Sequence, residues 1–306
     1  MSNILFQNSL KCLDQKTPPI WFMRQAGRYH SHYKKLKEKY SFEQLCKNPE
    51  LASEVAYGPV KEFDFDLAIL FSDILFILEG LGMNLKFNPG PIFEDYITRD
   101  NYKNYTDINA AIDHLEFQSK AIKLTREILP NSKSLIGFVG GPWTLLRFAT
   151  NKKKPLIKIE DFHLGFLNDI LIPLLKLNIK LQLNSGAEIV MIFDSGLNDI
   201  DSNIFRSKYL LMIEDIAKIF GLNEVQLNAI KESRKSSDKL NPYIVLESKP
   251  DDKIEAIRKR YLKLSKEHHP DLLLSKGVPQ EVIDESKAKM RAINLAWDQI
   301  QKLKSS

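Results

Sequence analysis

The chain has 306 residues, of which 43% are hydrophobic and 27% charged, a balance typical of folded globular proteins. Its 44 basic and 39 acidic residues give a net charge of +5, which does not by itself indicate nucleic-acid binding. Two cysteines exclude a disulfide framework, no metal-ligand spacing is present, and no apolar run reaches the ~20 residues of a membrane span. We therefore expect a cytoplasmic protein with no signal peptide, metal, nucleic-acid partner or membrane span.

Short apolar runs alternate with stretches of helical periodicity in the first 200 residues. The runs are bulky and end in turns or polar clusters, as buried parallel strands do; they lie at 19–23 (PIWFM), 67–71 (LAILF), 134–139 (SLIGFV) and 187–193 (AEIVMIF). Helices are predicted at 108–129, with Asp107 as the N-cap, and at 162–183, while 84–97 is predicted to form a hairpin or loop. The alternation indicates an α/β fold of about four βα units.

Polar residues follow each predicted strand. Because functional groups in parallel βα folds gather beyond the carboxyl ends of the strands, we expect these residues to share one rim. Two guanidinium groups beside small residues could bind a carboxylate-rich ligand with paired hydrogen bonds. A structural role such as helix capping is the alternative for any one residue, but their coincidence at four strand ends favours a site. In chain order they are Arg24, Gln25, Ala26, Gly27 and Arg28; Ser72 and Asp73; the GGPWT turn at 140–144; and Asp194 and Ser195.

These motifs resemble uroporphyrinogen decarboxylase. The resemblance rests on four segments in the family's order and spacing, which are PIWFMRQAGRY (19–29), LFSDIL (70–75), GFVGGPWTL (137–145) and IFDS (192–195). It implies a lyase of porphyrin and heme biosynthesis, a (β/α)8 TIM barrel without cofactors that removes four acetate carboxyls from uroporphyrinogen III to give coproporphyrinogen III. It also implies that Arg24 and Arg28, with the residues between them, bind substrate carboxylates, as does Ser195. Asp73 would gather the pyrrole N–H groups and stabilise the positive charge that develops before carbon dioxide leaves.

Two departures from the family pattern limit what the resemblance implies. Phe148 stands at a substrate-binding position where the family has a tyrosine, so a hydroxyl is lost. The sequence also departs from the family pattern soon after Ser195, whereas a barrel needs about 250 residues and eight strands to close. We therefore expect an incomplete barrel whose open sheet edges favour self-association and whose decarboxylase activity is impaired.

Beyond residue 205 the pattern is entirely helical. Residues 205–220 are amphipathic and 232–240 read as a polar linker. A stripe at Ile254, Ile257, Tyr261 and Leu264 predicts a helix that ends before Pro270, and a second helix is predicted to start near Pro279. Two such stripes favour an antiparallel helical pair. The apolar positions of the second helix are Ile283, Met290, Ile293, Trp297 and Ile300.

The loop between the two helices carries His269, Pro270 and Asp271. With the flanking segments PYIVLES (242–248) and INLAW (293–297), this loop resembles the J domain of DnaJ-like co-chaperones over residues 241–306. The resemblance implies that a basic helix face docks on an acidic DnaK-type chaperone, where the His-Pro-Asp motif triggers ATP hydrolysis. Plain solvation of the basic face is the alternative, as is a helix-terminal cation for His269. The basic residues are Arg258, Lys259, Lys263 and Lys266.

Three regions follow: a truncated decarboxylase-like half-barrel at 1–200, helices resembling a TerB-like domain and a linker at 201–240, and a J domain at 241–306. The favoured hypothesis is a J-domain co-chaperone fused to a decarboxylase-like region. The alternative is a uroporphyrinogen decarboxylase acting through the N-terminal region. A third hypothesis is a chimera of two neighbouring genes that folds only at its C-terminal end.

Overall fold

A computed structural model describes residues 2–27, 29–151, 159–220, 242–249 and 252–268, and helical residues at 289–290, 293–298, 300–301 and 304. The chain divides into two compact units, Met1–Gly221 and Leu222–Ser306. Several predicted features lie outside the described residues: Arg28, the linker at 232–240, and the His269-Pro270-Asp271 motif.

A parallel sheet forms the centre of the first unit. Its strands pair in the order β1-β4-β5, with Leu67 opposite Ser134 and Gly140 opposite Phe193. β2 and β3 form a separate antiparallel hairpin, so of the two alternatives predicted for residues 84–97, a hairpin or a loop, the hairpin is present. The strands are β1 (Leu67–Ile69), β2 (Leu85–Phe87), β3 (Pro91–Phe93), β4 (Ser134–Gly140) and β5 (Ile189–Phe193).

The strand predicted at residues 19–23 is wrong. This segment lies beside the start of β1. One backbone hydrogen bond and one hydrogen bond to a side chain connect the two, and they do not pair as strands. The backbone N–H of Asp66 donates to the Ile20 carbonyl (2.9 Å), and the Ile20 N–H donates to the Asp66 carboxylate (2.7 Å). Pro18 and Pro19 have no N–H to offer, and a turn begins at Met23, so too few residues remain for a strand.

Helices pack against the sheet and extend the core of the first unit. α4 packs against β1, α7 against β4, and α10 against both β4 and β5. The helices of this unit are α1 (Ile4–Leu10), α2 (Ser31–Lys39), α3 (Phe42–Lys47), α4 (Pro49–Phe63), α5 (Phe76–Gly80), α6 (Ile108–His114), α7 (Glu116–Ile128), α8 (Pro142–Ala149), α9 (Asp161–Gly165), α10 (Ile172–Asn184), α11 (Ser202–Ile204) and α12 (Leu210–Ala217). The result is a partial, mostly helical α/β fold of TIM-barrel type with open sheets.

The two long helices predicted from periodicity are confirmed with local differences. Asp107 caps α6, accepting the backbone N–H of Ala110 at 2.9 Å, but the predicted helix divides at Leu115 into α6 and α7. In place of the single helix predicted at 162–183, the structure has α9 and α10, which are connected by a wider π-helical segment, Phe166–Leu171. Periodicity finds such helices well because one buried face must recur along them.

The first unit continues beyond residue 200. Tyr209, Met212 and Ile216, on the helical stretch that includes α12, are buried in the same core cluster as Trp143 and Phe166. This stretch therefore packs with the strands, although the sequence placed it in a separate region starting at 201. Its resemblance to a TerB-like tail stays a prediction.

The second unit contains α13 (Pro242–Val245) and α14 (Ile254–Glu267), together with helical residues between 289 and 304. The Tyr261 ring stacks on Trp297 with centroids 5.1 Å apart, and the Lys304 ammonium donates to the Asp252 carbonyl at 3.3 Å. Asp252, which precedes α14, thus lies beside Lys304, and Tyr261, within α14, lies beside Trp297. The shared core consists of Leu246, Ile257, Leu264, Ile293, Ala296 and Ile300.

No helix in the described ranges is both long and apolar enough to cross a lipid bilayer.

Candidate ligand-binding rim

The carboxyl ends of β1, β4 and β5 lie at one edge of the sheet because the three strands are parallel and adjacent. With neighbouring strands about 4.8 Å apart, the rim from β1 to β5 spans about 10 Å. Asp73 follows β1, Thr144 follows β4, and Asp194 and Ser195 follow β5. The sheet therefore brings three of the four predicted strand ends to one rim.

The fourth predicted group lies in the turn after residue 23. Arg24 is exposed there, while the Gln25 amide is buried and donates to the Leu67 carbonyl at 2.9 Å. Ala26 packs on the buried cluster around Tyr33. Gln25 and Ala26 thus hold the turn in place and leave Arg24 accessible. Among the described contacts, no hydrogen bond or ion pair joins Arg24 to Asp73 or Ser195.

Asp73 is a largely buried carboxylate. Burial raises its pKa from the ordinary value, and the backbone N–H of Leu75, which donates to its Oδ1 at 2.8 Å, acts in the opposite direction. The neighbouring Cys46 thiol is fully buried, and burial followed by the charge of Asp73 raises its pKa. A partly buried acceptor of this kind could receive N–H groups from a ligand and stabilise positive charge on it.

Asp194 has the structural role, helix capping, that the sequence left open as the alternative for each strand-end residue. It accepts hydrogen bonds from the backbone of Trp143 (3.2 Å) and Thr144 (2.7 Å), from the Thr144 hydroxyl (2.6 Å) and from the Tyr209 hydroxyl (2.8 Å). Burial raises the pKa of Asp194, although these four hydrogen bonds act to lower it. Asp194 therefore fastens the loop after β5 to the N-terminal end of α8.

The close contact between Asp194 and the start of α8 requires a glycine at position 141. A Cβ atom on Gly141 would stand 2.2 Å from the Cβ of Asp194, which no side chain allows. The Thr144 hydroxyl also accepts the backbone N–H of Gly196 at 2.8 Å. The loop that carries Ser195 is thus held on both sides of Ser195, so the position of this serine is fixed relative to α8.

A cleft of about 550 Å³ opens beside Ser195. It brings together two predicted site residues, Ser195 and Phe148, and adds Arg147 and Tyr96, which the sequence reasoning missed. Arg147 was discoverable, because it lies three residues after Thr144 and hence on the same face of α8. The lining residues are Pro91, Ile92, Phe93, Tyr96, Thr144, Arg147, Phe148, Asn151, Ser195 and Gly196.

Among the residues that the structure describes, no group of three or more histidine, cysteine, aspartate or glutamate side chains could hold a metal ion.

The fold and rim together define a partial α/β barrel with a ligand cleft at the carboxyl ends of its strands. A protein-family model described as uroporphyrinogen decarboxylase (URO-D) matches residues 1–226. The chain therefore belongs to the uroporphyrinogen decarboxylase family. The match extends past residue 200, where the sequence reasoning ended the resemblance.

Individual relatives agree with the family match. "Uroporphyrinogen decarboxylase" of Campylobacter hominis is 39% identical over 223 residues, which cover 68% of this chain and 66% of the relative. "Uroporphyrinogen decarboxylase" of Neorickettsia sennetsu is 37% identical over 211 residues, covering 64% of this chain and 62% of the relative. The chain thus spans slightly less than two thirds of the length of these relatives.

A solved structure supports the fold. "Methyltransferase from Methanosarcina mazei" superposes with a TM-score of 0.61 at 17% sequence identity, covering 70% of this chain and 65% of that chain. At this identity the likeness concerns the architecture and not the chemistry.

Proposed function

We propose that this chain is a J-domain co-chaperone that stimulates ATP hydrolysis by a DnaK-type chaperone in the cytoplasm, and that its first unit binds a porphyrinogen. The proposed regions are a decarboxylase-like region at 1–200, TerB-like helices and a linker at 201–240, and a J domain at 241–306. The observation that carries the co-chaperone proposal is the division of α14 into an apolar face and a basic face.

α14 turns Ile257 and Leu264 into the core of the second unit, where their exposed fractions are 0% and 8%. Arg260 is turned instead toward Asp252, with which it forms an ion pair. The four cations named for docking are all exposed; they are Arg258, Lys259, Lys263 and Lys266. A row of accessible cations on a helix can be met by an acidic partner surface, which accelerates encounter more than it strengthens binding.

The His-Pro-Asp motif is tested by measuring ATP turnover of a DnaK-type chaperone in the presence of the full chain. We expect the wild type to stimulate turnover and His269→Gln to abolish stimulation. His268→Gln is the matched control, because it changes the neighbouring histidine outside the motif and should stimulate like the wild type. Equal stimulation by all three proteins would reject the role of His269, and no stimulation by the wild type would reject the co-chaperone function.

The basic face is tested in the same assay. Lys259→Glu combined with Lys263→Glu should lower stimulation, and the difference from wild type should shrink as salt rises, because salt screens exposed charges. A salt-independent deficit would argue against electrostatic docking.

Decarboxylation of uroporphyrinogen III by the first unit is the second candidate function. The family membership and the partly buried Asp73 acceptor at the rim favour it. Asp73 and Arg24 are the proposed catalytic residues, with Gln25, Ala26, Gly27, Arg28, Phe148 and Ser195 in the proposed substrate site. No cofactor is proposed.

Coproporphyrinogen formation by the purified full chain tests this candidate. Asp73→Ala should abolish any turnover, whereas Asp113→Ala, which changes an exposed carboxylate on α6, should leave it unchanged. Light scattering on the same sample shows whether active material is self-associated, as we propose for a sheet with open edges. Turnover that survives Asp73→Ala would remove Asp73 from the proposed site.

A further inference from the structure

Gln118 is a buried polar residue of α7 that the proposed substrate site does not include. Its side chain is 3% exposed, and its Nε2 atom donates to the hydroxyl oxygen of Ser72 at 2.9 Å. Ser72 directly precedes Asp73 in the chain. A side chain from a helix that packs against the sheet is therefore bonded to the residue beside the proposed pyrrole acceptor.

The segment that carries Asp73 belongs to neither a strand nor a helix. β1 ends at Ile69 and α5 begins at Phe76. Among the described hydrogen bonds of residues 71–73, the bond from Gln118 to Ser72 is the one that reaches another element. The bond from the Leu75 N–H to Asp73 lies within the segment itself. The position of Asp73 thus depends on how firmly Gln118 holds Ser72.

Gln118 is itself held by Gln182 of α10. The Gln182 amide donates to the Phe138 carbonyl on β4 at 2.9 Å. Its Nε2 atom also lies 3.4 Å from the side-chain oxygen of Gln118 and 3.2 Å from that of Asn178. Gln182 and Asn178 are 0% and 3% exposed. A buried network of this kind rigidifies the groups that it joins, here the rim segment after β1 and the neighbouring strand β4.

A glycine on β4 provides the space for this network. A Cβ atom on Gly137 would stand 2.2 Å from the Oε1 atom of Gln182, so a larger residue would displace the amide. Gly137 opens the GFVGGPWTL segment and directly precedes Phe138, whose carbonyl accepts from Gln182. The chain thus accommodates an amide against β4 at a place where apolar packing alone would favour a side chain on the strand.

We propose that Gln118 is a positioning residue for ligand binding, which acts through Ser72 to hold Asp73 where it accepts N–H groups from the bound ring. This inference rests on the proposed porphyrinogen-binding function and adds to it a residue that touches no ligand. Hydrogen bonds weaken steeply with distance and angle, so an acceptor whose position relaxes loses part of its contribution to binding.

The test is a fluorescence titration of the full chain with uroporphyrin III, the oxidised and fluorescent form of the ring. Gln118→Met keeps the length of the side chain but removes its donor, and it should weaken binding by about 2- to 10-fold, the range for one neutral hydrogen bond. Ser72→Ala removes the same bond from the rim side, without changing a buried helix position, and should cause a similar loss. Ser72→Thr keeps the hydroxyl and should retain most of the affinity.

Ser119→Ala is the matched control on α7. It removes the buried hydrogen bond between the Ser119 and Ser185 hydroxyls (2.7 Å) and leaves Ser72 untouched. This variant should bind like the wild type, because its hydrogen bond does not lead to the rim. A loss equal to that of Gln118→Met would show that any damage to α7 weakens binding and would overturn the inference.

A double-mutant cycle separates positioning from a general structural effect. Asp73→Ala should weaken binding by about 10- to 100-fold, the range for hydrogen bonds to a charged group, and binding stays measurable because Arg24 and Ser195 remain. In this background Gln118→Met should cause no further loss, because the residue that it positions is gone. The same fold-loss in both backgrounds would assign Gln118 a purely structural role.

The remaining outcomes distinguish the inference from the proposed function. Wild-type affinity in Gln118→Met, beside weakened binding in Asp73→Ala, would overturn the role of Gln118 and leave the proposed function standing. Wild-type affinity in Asp73→Ala would likewise overturn the inference, because Asp73 would then make no contact worth positioning. No binding by the wild-type chain would overturn both.

Discussion

Replacing Asp194 by alanine should destabilise the first unit substantially, because this carboxylate joins the loop after β5 to α8. The substitution removes an acceptor for two backbone N–H groups of a helix N-terminus and for the hydroxyls of Thr144 and Tyr209. Loss of an N-cap costs about 0.5–2 kcal/mol. Hydrogen bonds to a charged group contribute about 1.5–3 kcal/mol each, and burial of the carboxylate offsets part of that gain.

The net loss that follows is about 3 kcal/mol, and Asp194→Asn should lose less, about 1 kcal/mol, because its amide oxygen still accepts from the helix terminus. Urea unfolding followed by tryptophan fluorescence in a Trp297→Phe background measures this loss, since Trp21 and Trp143 then both report on the first unit. A 3 kcal/mol loss lowers the urea midpoint by about 1 M for a slope near 3 kcal/mol per M.

Asp113→Ala provides the reference for removing a carboxylate from the surface and should shift the midpoint little. Coincident transitions by fluorescence and circular dichroism are needed to treat the unfolding as one step. If Asp194→Ala and Asp194→Asn both unfold within about 0.5 kcal/mol of the control, Asp194 does not hold the loop and the reasoning fails.

Three further predictions concern other residues. Because the pKa of Asp73 is raised, its protonated form contributes fully to stability below the ordinary pKa of 3.8, and this contribution is lost as pH rises through the raised pKa. Asp73→Asn should therefore gain stability relative to wild type as pH rises from acidic to neutral. Urea midpoints of the two proteins that stay parallel over this pH range would contradict the prediction. Gly141→Ala should destabilise the first unit and shift Trp143 fluorescence, because its Cβ overlaps Asp194; a wild-type midpoint would show that the loop can move away. Ile257→Ala should cost the second unit about 2–5 kcal/mol, measured by circular dichroism at 222 nm, because it empties a buried position; a change below 1 kcal/mol would place Ile257 outside the core.

Residue patterns along the chain were enough to predict the elements whose pattern repeats locally. The stripe of α14, the helices after Asp107 and the three parallel strands were all predictable, because their apolar residues recur in patterns typical of each element. The family resemblance of the first unit could likewise be recognised from short sequence motifs, and it is confirmed by the family match to residues 1–226. The J-domain resemblance stays a prediction for the experiments above.

Packing between distant segments sets which polar residues meet and which only support them. Asp194 and Ser195 are adjacent polar residues at the end of one strand. Asp194 accepts four hydrogen bonds from within the protein, whereas Ser195 lines a cleft. The segment at 19–23 has the composition of a strand but lacks a ladder, because pairing depends on a neighbour and not on the residues themselves. Tyr96 entered the lining of the cleft for the same reason, since contacts between distant segments are set by packing and are invisible to any local pattern.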